Sequence, residues 1–493
     1  MAQMTLDVRV VARPRTAWPE IGAVAVAVVV MLLALASRYG YYRDELYFRM
    51  LSDHPALGYV DQPPLTPWLA GLATHLFGDT ALGIRVPAAL CAAAAVVLTA
   101  MIAAELGGRA RAQLIAALGT AGSCYLLLVG HTLLTSSFDL VAWEVVALFA
   151  LKALRNGKWW LWTGVAVGLS LYNKYLIALL CLGLLVGLAA VGPRRALASR
   201  RLWAGVAIAL VIGAPNILYQ AMHDWPQLKM AAALGAAGNS DRNRLFMLPG
   251  QLILVGLPLA PVWLAGLVGL LRRPEWRPVR AMGVAFLVAL AAVFVSGGRM
   301  DYSAPMLFVL LAAGAVLTDR WMVSLRRRRV IASALLLNLG LSVLLALPVL
   351  PESVVADTPI SMANVEVRDS MGWPELASQV AAALPADRNT VLLAQDYGEA
   401  GALAHWKDAD HLPDVYSGHN ELAKWLPPDS ATTAVAVGIN PDLLAPAFAQ
   451  CTTVGTVELG ADVGNQAQHA PIVVCSGRQW TWQQLWPRLV HLG

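Results

Sequence analysis

Long apolar runs divide the first 350 residues of the chain. A helix of about 20 apolar residues can cross the roughly 30 Å hydrocarbon core of a bilayer, and most of these runs reach or approach that length. The runs predict about eleven crossings, two of them within one long apolar stretch, and therefore a polytopic α-helical membrane protein. The predicted crossings lie at residues 18–37, 82–104, 112–130, 137–151, 159–191 (two crossings), 202–220, 245–271, 279–295, 303–317 and 330–350.

Composition and charge agree with this fold class and predict its orientation. The chain is 58% hydrophobic and only 14% charged. Its basic residues cluster in alternate loops, which places those loops and the N-terminus in the cytoplasm. The loops at 39–81 and 221–245 and the tail 352–493 then lie outside, as in a multi-pass protein of the cytoplasmic (inner) membrane. The tail carries 6 basic and 16 acidic residues, so the overall charge gives no support to nucleic-acid binding.

The tail reads as a soluble extracytoplasmic α/β domain that follows a transmembrane domain at 1–351. Short β-like runs alternate there with helical patterns that follow Trp373, Tyr397 and Pro441. The runs lie at 390–394, 433–438 and 472–475. The same domain contains two cysteines, Cys451 and Cys475, which either form one disulfide in an oxidising compartment or remain free thiols.

Two short segments of the membrane domain have distinctive patterns. Residues 64–77 in the first outer loop begin with proline and are amphipathic, which predicts a helix lying on the outer leaflet. The stretch 159–191 is short for two crossings, since about 35 residues at 1.5 Å each span roughly 52 Å. The turn at 172–175 should therefore lie within the membrane beside a protein-lined or wet cavity. Lys174 then faces that cavity or, alternatively, extends to the interface.

Acidic residues beside the membrane are the first candidates for chemistry, because charges are costly to place there. Asp44 and Glu45 follow the first apolar run and are candidate catalytic residues; the alternative is a helix N-terminal pair stabilised by the macrodipole. Asp61 precedes a double proline and is either a substrate-binding residue or a turn aspartate. His54 and Asp61 are candidate ligands of a divalent metal ion. Asp139, inside the fourth crossing, is a candidate for facing the same cavity.

Cationic residues on the predicted outer side are candidates for binding an anion. Arginine suits phosphate because its planar fork forms two hydrogen bonds. Singly, each arginine is more often solvated or bound to lipid headgroups, but with Lys174 they would form a cationic patch opposite the carboxylates. The candidates are Arg242, Arg244 and Arg299, and Tyr302, close to Arg299 in sequence, is a further candidate for binding substrate.

The reaction class follows from what the chain lacks and where it acts. Its sequence contains no Walker-type phosphate loop, no dinucleotide-binding glycine motif and no zinc-spaced Cys/His set. A synthetic reaction outside the cytoplasm then needs a donor that is already activated and membrane-bound, such as a polyprenyl-phosphate sugar. Its phosphate leaves as a stabilised anion, so the protein must supply mainly one carboxylate base and cations.

These residues resemble the motifs of a known family. The chain is similar to GT-C glycosyltransferases of the protein O-mannosyltransferase type (family 39) and to bacterial transferases that move aminoarabinose onto lipid A. Their first-loop acidic motif matches Asp44-Glu45, their acid-Pro-Pro-Trp motif matches Asp61 to Trp68, and their late Tyr-Pro motif matches Tyr302 to Pro305. The acid of span four and the lysine after span five match Asp139 and Lys174.

The resemblance is strongest over about residues 40–230 and implies a role for each matched residue. Asp44 would be the acceptor base of an inverting displacement, with Lys174 and outer arginines near the lipid phosphate. The segments Asp396–Gly401 and Ser417–Asn420 resemble outer domains of bacterial members. Gln62 stands where the lipid A enzymes have lysine, so phosphate binding would be shared differently here.

The sequence therefore predicts a membrane glycosyltransferase with a polyprenyl-phosphate-linked sugar donor. Its acceptor is a hydroxyl of a protein, a lipid or a cell-wall glycan on the outer face of the membrane. Expected partners are the donor, the acceptor and membrane lipids, without nucleic acid, and a divalent metal ion is the one candidate cofactor. The alternatives are a transporter or flippase of lipid-linked sugars that uses intramembrane acids as a proton path, and a scaffold whose acidic outer domain binds partners.

Overall fold

Helices account for nearly all of the predicted membrane domain. The computed structural model describes residues 14–236, 240–387 and 389–493. Sixteen α-helices, α1 to α16, precede residue 351 in the described ranges. In order they are Trp18–Leu35, Arg43–Ser52, Leu65–Phe77, Ala81–Glu105, Ala110–Ala121, Cys124–His131, Thr135–Arg155, Trp159–Ser170, Ile177–Ala190, Arg200–Met222, Pro226–Ala236, Ser240–Val255, Ala260–Arg272, Ala281–Ser296, Ala304–Trp321 and Leu325–Ala346.

The helices support a multi-pass membrane protein, whereas the number of crossings stays a prediction. In the described ranges, five helices are long and apolar enough to cross a membrane, and counting two bent pairs as spans raises this to seven. The pairs are α5 with α6, bent by 58°, and the segments Ser240–Val255 and Leu257–Arg272, bent by 84°. Each predicted run coincides with a helix or a bent pair. Helix α7 is not among these spans because it carries four charged residues, and helices α9 and α14 are too short to be counted.

Burial separates a central helix from peripheral ones. In the apolar part of the segment Met300–Trp321, which contains α15, 78% of the residues are buried. In α1, α10 and α16 the corresponding share is only 17–22%. Apolar side chains on these peripheral helices therefore face outward, where lipid would surround them. Glycine allows close crossings of neighbouring helices: a Cβ atom on Gly164 of α8 would lie 2.0 Å from the carbonyl oxygen of Gly205 of α10. Such small-residue contacts are typical of helix packing in membranes.

The tail forms the predicted α/β domain. Its five-stranded sheet has the order β2-β1-β3-β5-β4, with β1 parallel to β2 and β3 and the other pairs antiparallel. The strands are Thr390–Ala394, Val415–Ser417, Thr433–Val437, Phe448–Thr456 and Pro471–Arg478. The helices, α17 to α23, are Glu352–Ala356, Ile360–Ala363, Val365–Arg368, Trp373–Ala382, Tyr397–His405, Pro441–Leu444 and Trp482–Leu485.

Three of these strands and the helices after Trp373, Tyr397 and Pro441 match the prediction. Strand β2 was missed because three residues give no periodicity. Strand β4 was missed because it is an edge strand with mostly exposed residues and no apolar run. Cys451 of β4 and Cys475 of β5 are directly opposite each other and form a disulfide, which answers the question that the sequence left open.

The outer domain and the first outer loop share one hydrophobic core. Helix α2 packs along α21 so closely that a Cβ atom on Gly401 would lie 2.7 Å from Cβ of Leu46. Leu46 and Phe48 of α2 belong to the same buried cluster as Trp373 and Leu403 of the tail. The predicted boundary at residue 351 therefore separates two chain segments that fold against each other. The amphipathic segment of the same loop is helix α3, as predicted.

Candidate active site

Asp44 lies in the first turn of α2 with a partly accessible carboxylate. The Tyr42 amide donates to the Glu45 side chain at 2.9 Å, which helps to begin the helix. Oδ1 of Asp44 accepts a hydrogen bond from the Tyr397 hydroxyl at 2.8 Å, and Arg43 Nε lies 3.7 Å away. The Asp44 side chain is 26% exposed. Burial raises the pKa of this carboxyl, while Arg43 and the Tyr397 hydrogen bond lower it.

Glu45 is buried, and its carboxylate has a structural role. Both of its oxygens accept hydrogen bonds from Arg85, at 2.9 and 2.7 Å, and the Leu133 amide donates to it at 2.9 Å. Its side chain is inaccessible to solvent. Adjacent side chains of a helix point about 100° apart. Asp44 therefore stays partly accessible beside Tyr397, while Glu45 points into the protein toward Arg85. We therefore assign no catalytic role to Glu45.

Lys174 lies in the non-helical turn between α8 and α9, as predicted. Its Nζ donates to Ser136 Oγ at 2.9 Å and lies 5.5 Å from the centre of the Tyr302 ring. The turn is fixed by its neighbour Asn173, which donates to the Thr135 carbonyl at 2.8 Å and hydrogen-bonds the Thr66 hydroxyl at 2.9 Å. The turn is thus attached to the start of α3 in the first outer loop.

Four charged side chains from three separate segments interact electrostatically with Lys174: Asp44, Asp139, Arg299 and Asp301. Asp139 is buried and accepts a hydrogen bond from Trp143 at 3.2 Å. Arg299 pairs with Asp301 at 2.9 Å, while its side chain is 63% exposed. One site therefore combines carboxylates and cations, with Arg299 and Lys174 as its potential anion ligands.

The other two candidate arginines occupy different surroundings. Arg244 donates to the carbonyls of Phe294 and Val295, at 3.2 and 3.1 Å. It thus supplies hydrogen bonds to carbonyl groups that have no partner within the helix at the C-terminal end of α14. It also pairs with Asp241 at 2.8 Å. Arg242 is exposed near the start of α12. Of the three candidate arginines, Arg299 interacts electrostatically with Lys174 and is therefore the one that we include in the site.

Asp61 and His54 contact the outer domain. Asp61 accepts hydrogen bonds from the Tyr47 hydroxyl at 3.1 Å and the Asn420 amide at 3.5 Å. Burial raises the pKa of Asp61 to about 7. The exposed His54 ring lies 4.2 Å from the Trp425 ring. Within the described ranges, no three or more His, Cys, Asp or Glu side chains group together in a way that could hold a metal ion, so the structure adds nothing in favour of the metal prediction.

Sequence reasoning missed three participants in this site. Tyr397 lies in the segment Asp396–Gly401, which the resemblance had singled out without a role. Asp301 lies between two candidates, Arg299 and Tyr302, and its acidic side chain was the available signal. Glu366, which interacts electrostatically with Arg299, Asp301 and Asp44, gave no signal, because it is one of many acids in the tail.

The family and the relative that match this chain in sequence are both glycosyltransferases. The dolichyl-phosphate-mannose-protein mannosyltransferase family matches residues 61–219, less than half of the chain. The lipid A galacturonosyltransferase RgtD of Rhizobium johnstonii is 28% identical over 193 residues. These residues are 37% of this chain and 39% of RgtD, so the match spans well under half of that relative.

The similarity to solved structures extends over nearly the whole chain. Crystal structures of ArnT from Cupriavidus metallidurans, in the apo state and bound to undecaprenyl phosphate, align with a TM-score of 0.59 at 18% identity. The apo alignment covers 93% of this chain and 99% of ArnT. Arabinofuranosyltransferase AftD from Mycobacteria aligns with a TM-score of 0.51 at 16% identity, over 94% of this chain and 40% of AftD. The predicted fold is thus confirmed: the chain has the GT-C fold of these membrane glycosyltransferases.

Proposed function

We propose that the protein is an inverting glycosyltransferase that moves a sugar from a polyprenyl-phosphate donor to an acceptor hydroxyl on the outer face of the cytoplasmic membrane. The observation that carries this proposal is the convergence of Asp44, Lys174 and Arg299 from three separate segments. Their charges match what the reaction needs, one base and two cations. The names of the relatives, RgtD and ArnT, and the undecaprenyl phosphate bound to ArnT support the same reaction class.

Asp44 is the proposed base. Its ionised carboxylate takes the proton of the acceptor hydroxyl while the acceptor oxygen forms a bond to the anomeric carbon of the sugar. The bond from that carbon to the phosphate oxygen breaks, and polyprenyl phosphate leaves with the bonding electrons. A partly accessible carboxyl group whose pKa is raised by burial is a better proton acceptor near neutral pH than a fully solvated one. Asp44 then passes the proton to solvent.

Lys174 and Arg299 are the proposed ligands of the donor phosphate. The reaction increases the negative charge on the leaving phosphate, so fixed cations stabilise the transition state more than the ground state. Lys174 is held by Ser136 and by its fixed turn, and Arg299 is exposed enough to move toward a lipid phosphate. Asp301 pairs with Arg299 at 2.9 Å, and Asp139 interacts electrostatically with Lys174, so these two acids balance the charge of the cations before the donor arrives.

An apolar cavity beside the Lys174 turn suits a polyprenyl chain. The cavity has a volume of about 420 Å³ and lies between α8, α9 and α10. Leu171 and Ile177, which flank the turn, both line it, as do Leu184 and Leu210 farther along the helices. A donor whose phosphate contacts Lys174 would therefore have apolar surface within reach of its first isoprene units.

The acidic outer domain and its disulfide support the outer-face placement. Disulfides persist in oxidising compartments and are rare in the cytosol, and the Cys451–Cys475 bond joins two strands of this domain. Because the domain contacts Asp44 through Tyr397, the site lies on the same side of the membrane as the domain. The relative RgtD favours lipid A as the acceptor among protein, lipid and glycan hydroxyls.

The proposal is tested by binding undecaprenyl phosphate, the product common to many such donors. We expect the purified protein to bind undecaprenyl phosphate in preference to undecaprenol, measured by native mass spectrometry. Lys174→Met should weaken binding by at least about tenfold, because it removes a cation that contacts the phosphate. The matched control Lys158→Met, at the exposed start of α8, should leave binding unchanged. Equal binding of both lipids by the unchanged protein would contradict the proposed donor.

A further inference from the structure

Tyr397 is the first residue of α21, and its ring is fixed on both sides. The helix begins with a capping box in which the Asp396 side chain accepts from the Gly398 amide at 2.7 Å and the Glu399 side chain accepts from the Asp396 amide at 3.1 Å. The Tyr397 ring stacks on the Tyr47 ring of α2, with 4.6 Å between centroids, and its centroid lies 4.8 Å from that of His419. The direction of its hydroxyl is therefore set by packing.

That hydroxyl points from the outer domain to the proposed base. It donates to Oδ1 of Asp44 at 2.8 Å. Burial raises the pKa of Tyr397 well above its usual value, so the hydroxyl stays protonated and remains a donor. Oδ2 of Asp44 makes no hydrogen bond to any residue in the described ranges, and it is the oxygen left to accept a proton from substrate.

Arg43 adds a second link between Asp44 and the outer domain. Its guanidinium lies 5.6 Å from the centre of the Tyr397 ring, hydrogen-bonds Gln466 and lies 3.6 Å from an oxygen of Asp369. The Arg43 amide also donates to the Asp369 carbonyl at 3.2 Å. The first turn of α2 is thus held by side chains that belong to the tail.

We propose that Tyr397 is a positioning residue of the active site, through which the outer domain orients the Asp44 carboxylate for proton transfer. This inference rests on the proposed function, since it assigns a purpose to the base named there. It makes the outer domain a structural part of the catalytic centre in addition to any role in acceptor binding. A base completed by two separate segments is active only when the domain is docked on α2.

The hydrogen bond has a measurable consequence for the titration of Asp44. A donor to the ionised form of a carboxyl group stabilises that form and lowers its pKa. Tyr397→Phe keeps the ring and its stacking but removes the donor. We expect the titration midpoint of Asp44 to rise by about one pH unit, the size typical of one hydrogen bond to a charged group.

The test follows labelling of Asp44 by dicyclohexylcarbodiimide, which reacts with protonated carboxyl groups and requires no sugar donor. The extent of labelling against pH is measured by mass spectrometry on the full-length protein in proteoliposomes. The acid limb of the transfer rate should move to higher pH by the same amount. Tyr416→Phe, in β2 of the same domain and outside this site, is the matched control and should move neither curve.

The outcomes separate the two proposals. An unchanged midpoint in Tyr397→Phe, in a protein with an unchanged melting temperature, would overturn the role of Tyr397 whether or not transfer is observed. A shifted midpoint accompanied by normal transfer in Asp44→Asn would instead overturn Asp44 as the base, and with it the proposed function of the pair. The inference is supported if both the labelling curve and the transfer-rate curve shift in Tyr397→Phe and neither curve shifts in Tyr416→Phe.

Discussion

Replacing Asp44 by asparagine is expected to lower sugar transfer by at least about 100-fold, because a positioned general base contributes about 10²–10⁴-fold to a rate. Asparagine has nearly the same shape and still accepts the hydrogen bond from Tyr397, whereas it cannot take a proton from the acceptor. Folding and membrane insertion should be unaffected, since the Asp44 side chain is partly exposed and is not part of the buried Glu45–Arg85 pair.

The measurement is transfer by purified protein in proteoliposomes, with a set of undecaprenyl-phosphate sugars as donors and lipid A as the first acceptor. Asp53→Asn at the exposed C-terminal end of α2 is the matched control, since it makes the same chemical change on the same helix. It should retain normal transfer. If Asp44→Asn transferred sugar as fast as the unchanged protein, another group would have to be the base.

Replacing Arg85 by methionine is expected to destabilise the protein by about 3–5 kcal/mol, the cost typical of leaving one member of a buried ion pair without its partner. Arg85 and Glu45 side chains are 2% and 0% exposed. Arg85 also donates to the carbonyls of Ala36 and Gly40, at 2.6 and 2.8 Å, so its loss would release the connection between α1 and α2 as well.

The matched control is Arg49→Met, which breaks the ion pair between Arg49 of α2, the helix that also carries Glu45, and Asp79. That pair is partly exposed to solvent, so its loss should cost only about 0.2–1 kcal/mol. Thermal unfolding in detergent, with the yield of monodisperse protein as a second measure, compares the two variants. A normal melting temperature for Arg85→Met would show that Glu45 does not depend on this partner.

Much of the membrane architecture could be predicted because the bilayer imposes a simple rule. Apolar runs of limited length became helices, and the short stretch 159–191 did contain a non-helical turn at Lys174. The bends within the predicted spans at 112–130 and 245–271 were not anticipated, since average hydropathy does not report where a helix breaks. The α/β character of the tail followed from its short apolar strands, while its edge strand β4 offered no such pattern.

The site was predicted less completely than the fold, for an identifiable reason. Acidic and basic residues near membrane spans stand out in a sequence, so Asp44, Asp139 and Lys174 were available as candidates. Which of two adjacent acids stays accessible depends on a partner far along the chain, here Arg85, and no local pattern contains that information. The contact of Tyr397 with Asp44 joins residues separated by 353 positions and depends on how the outer domain docks.

The most direct measurement is a structure of the protein in lipid nanodiscs with undecaprenyl phosphate bound. We expect the phosphate to contact Lys174, the lipid chain to enter the cavity between α8 and α10, and the Asp44 carboxylate to face the space next to the phosphate. A phosphate bound elsewhere, with no open path between it and Asp44, would contradict the proposed mechanism.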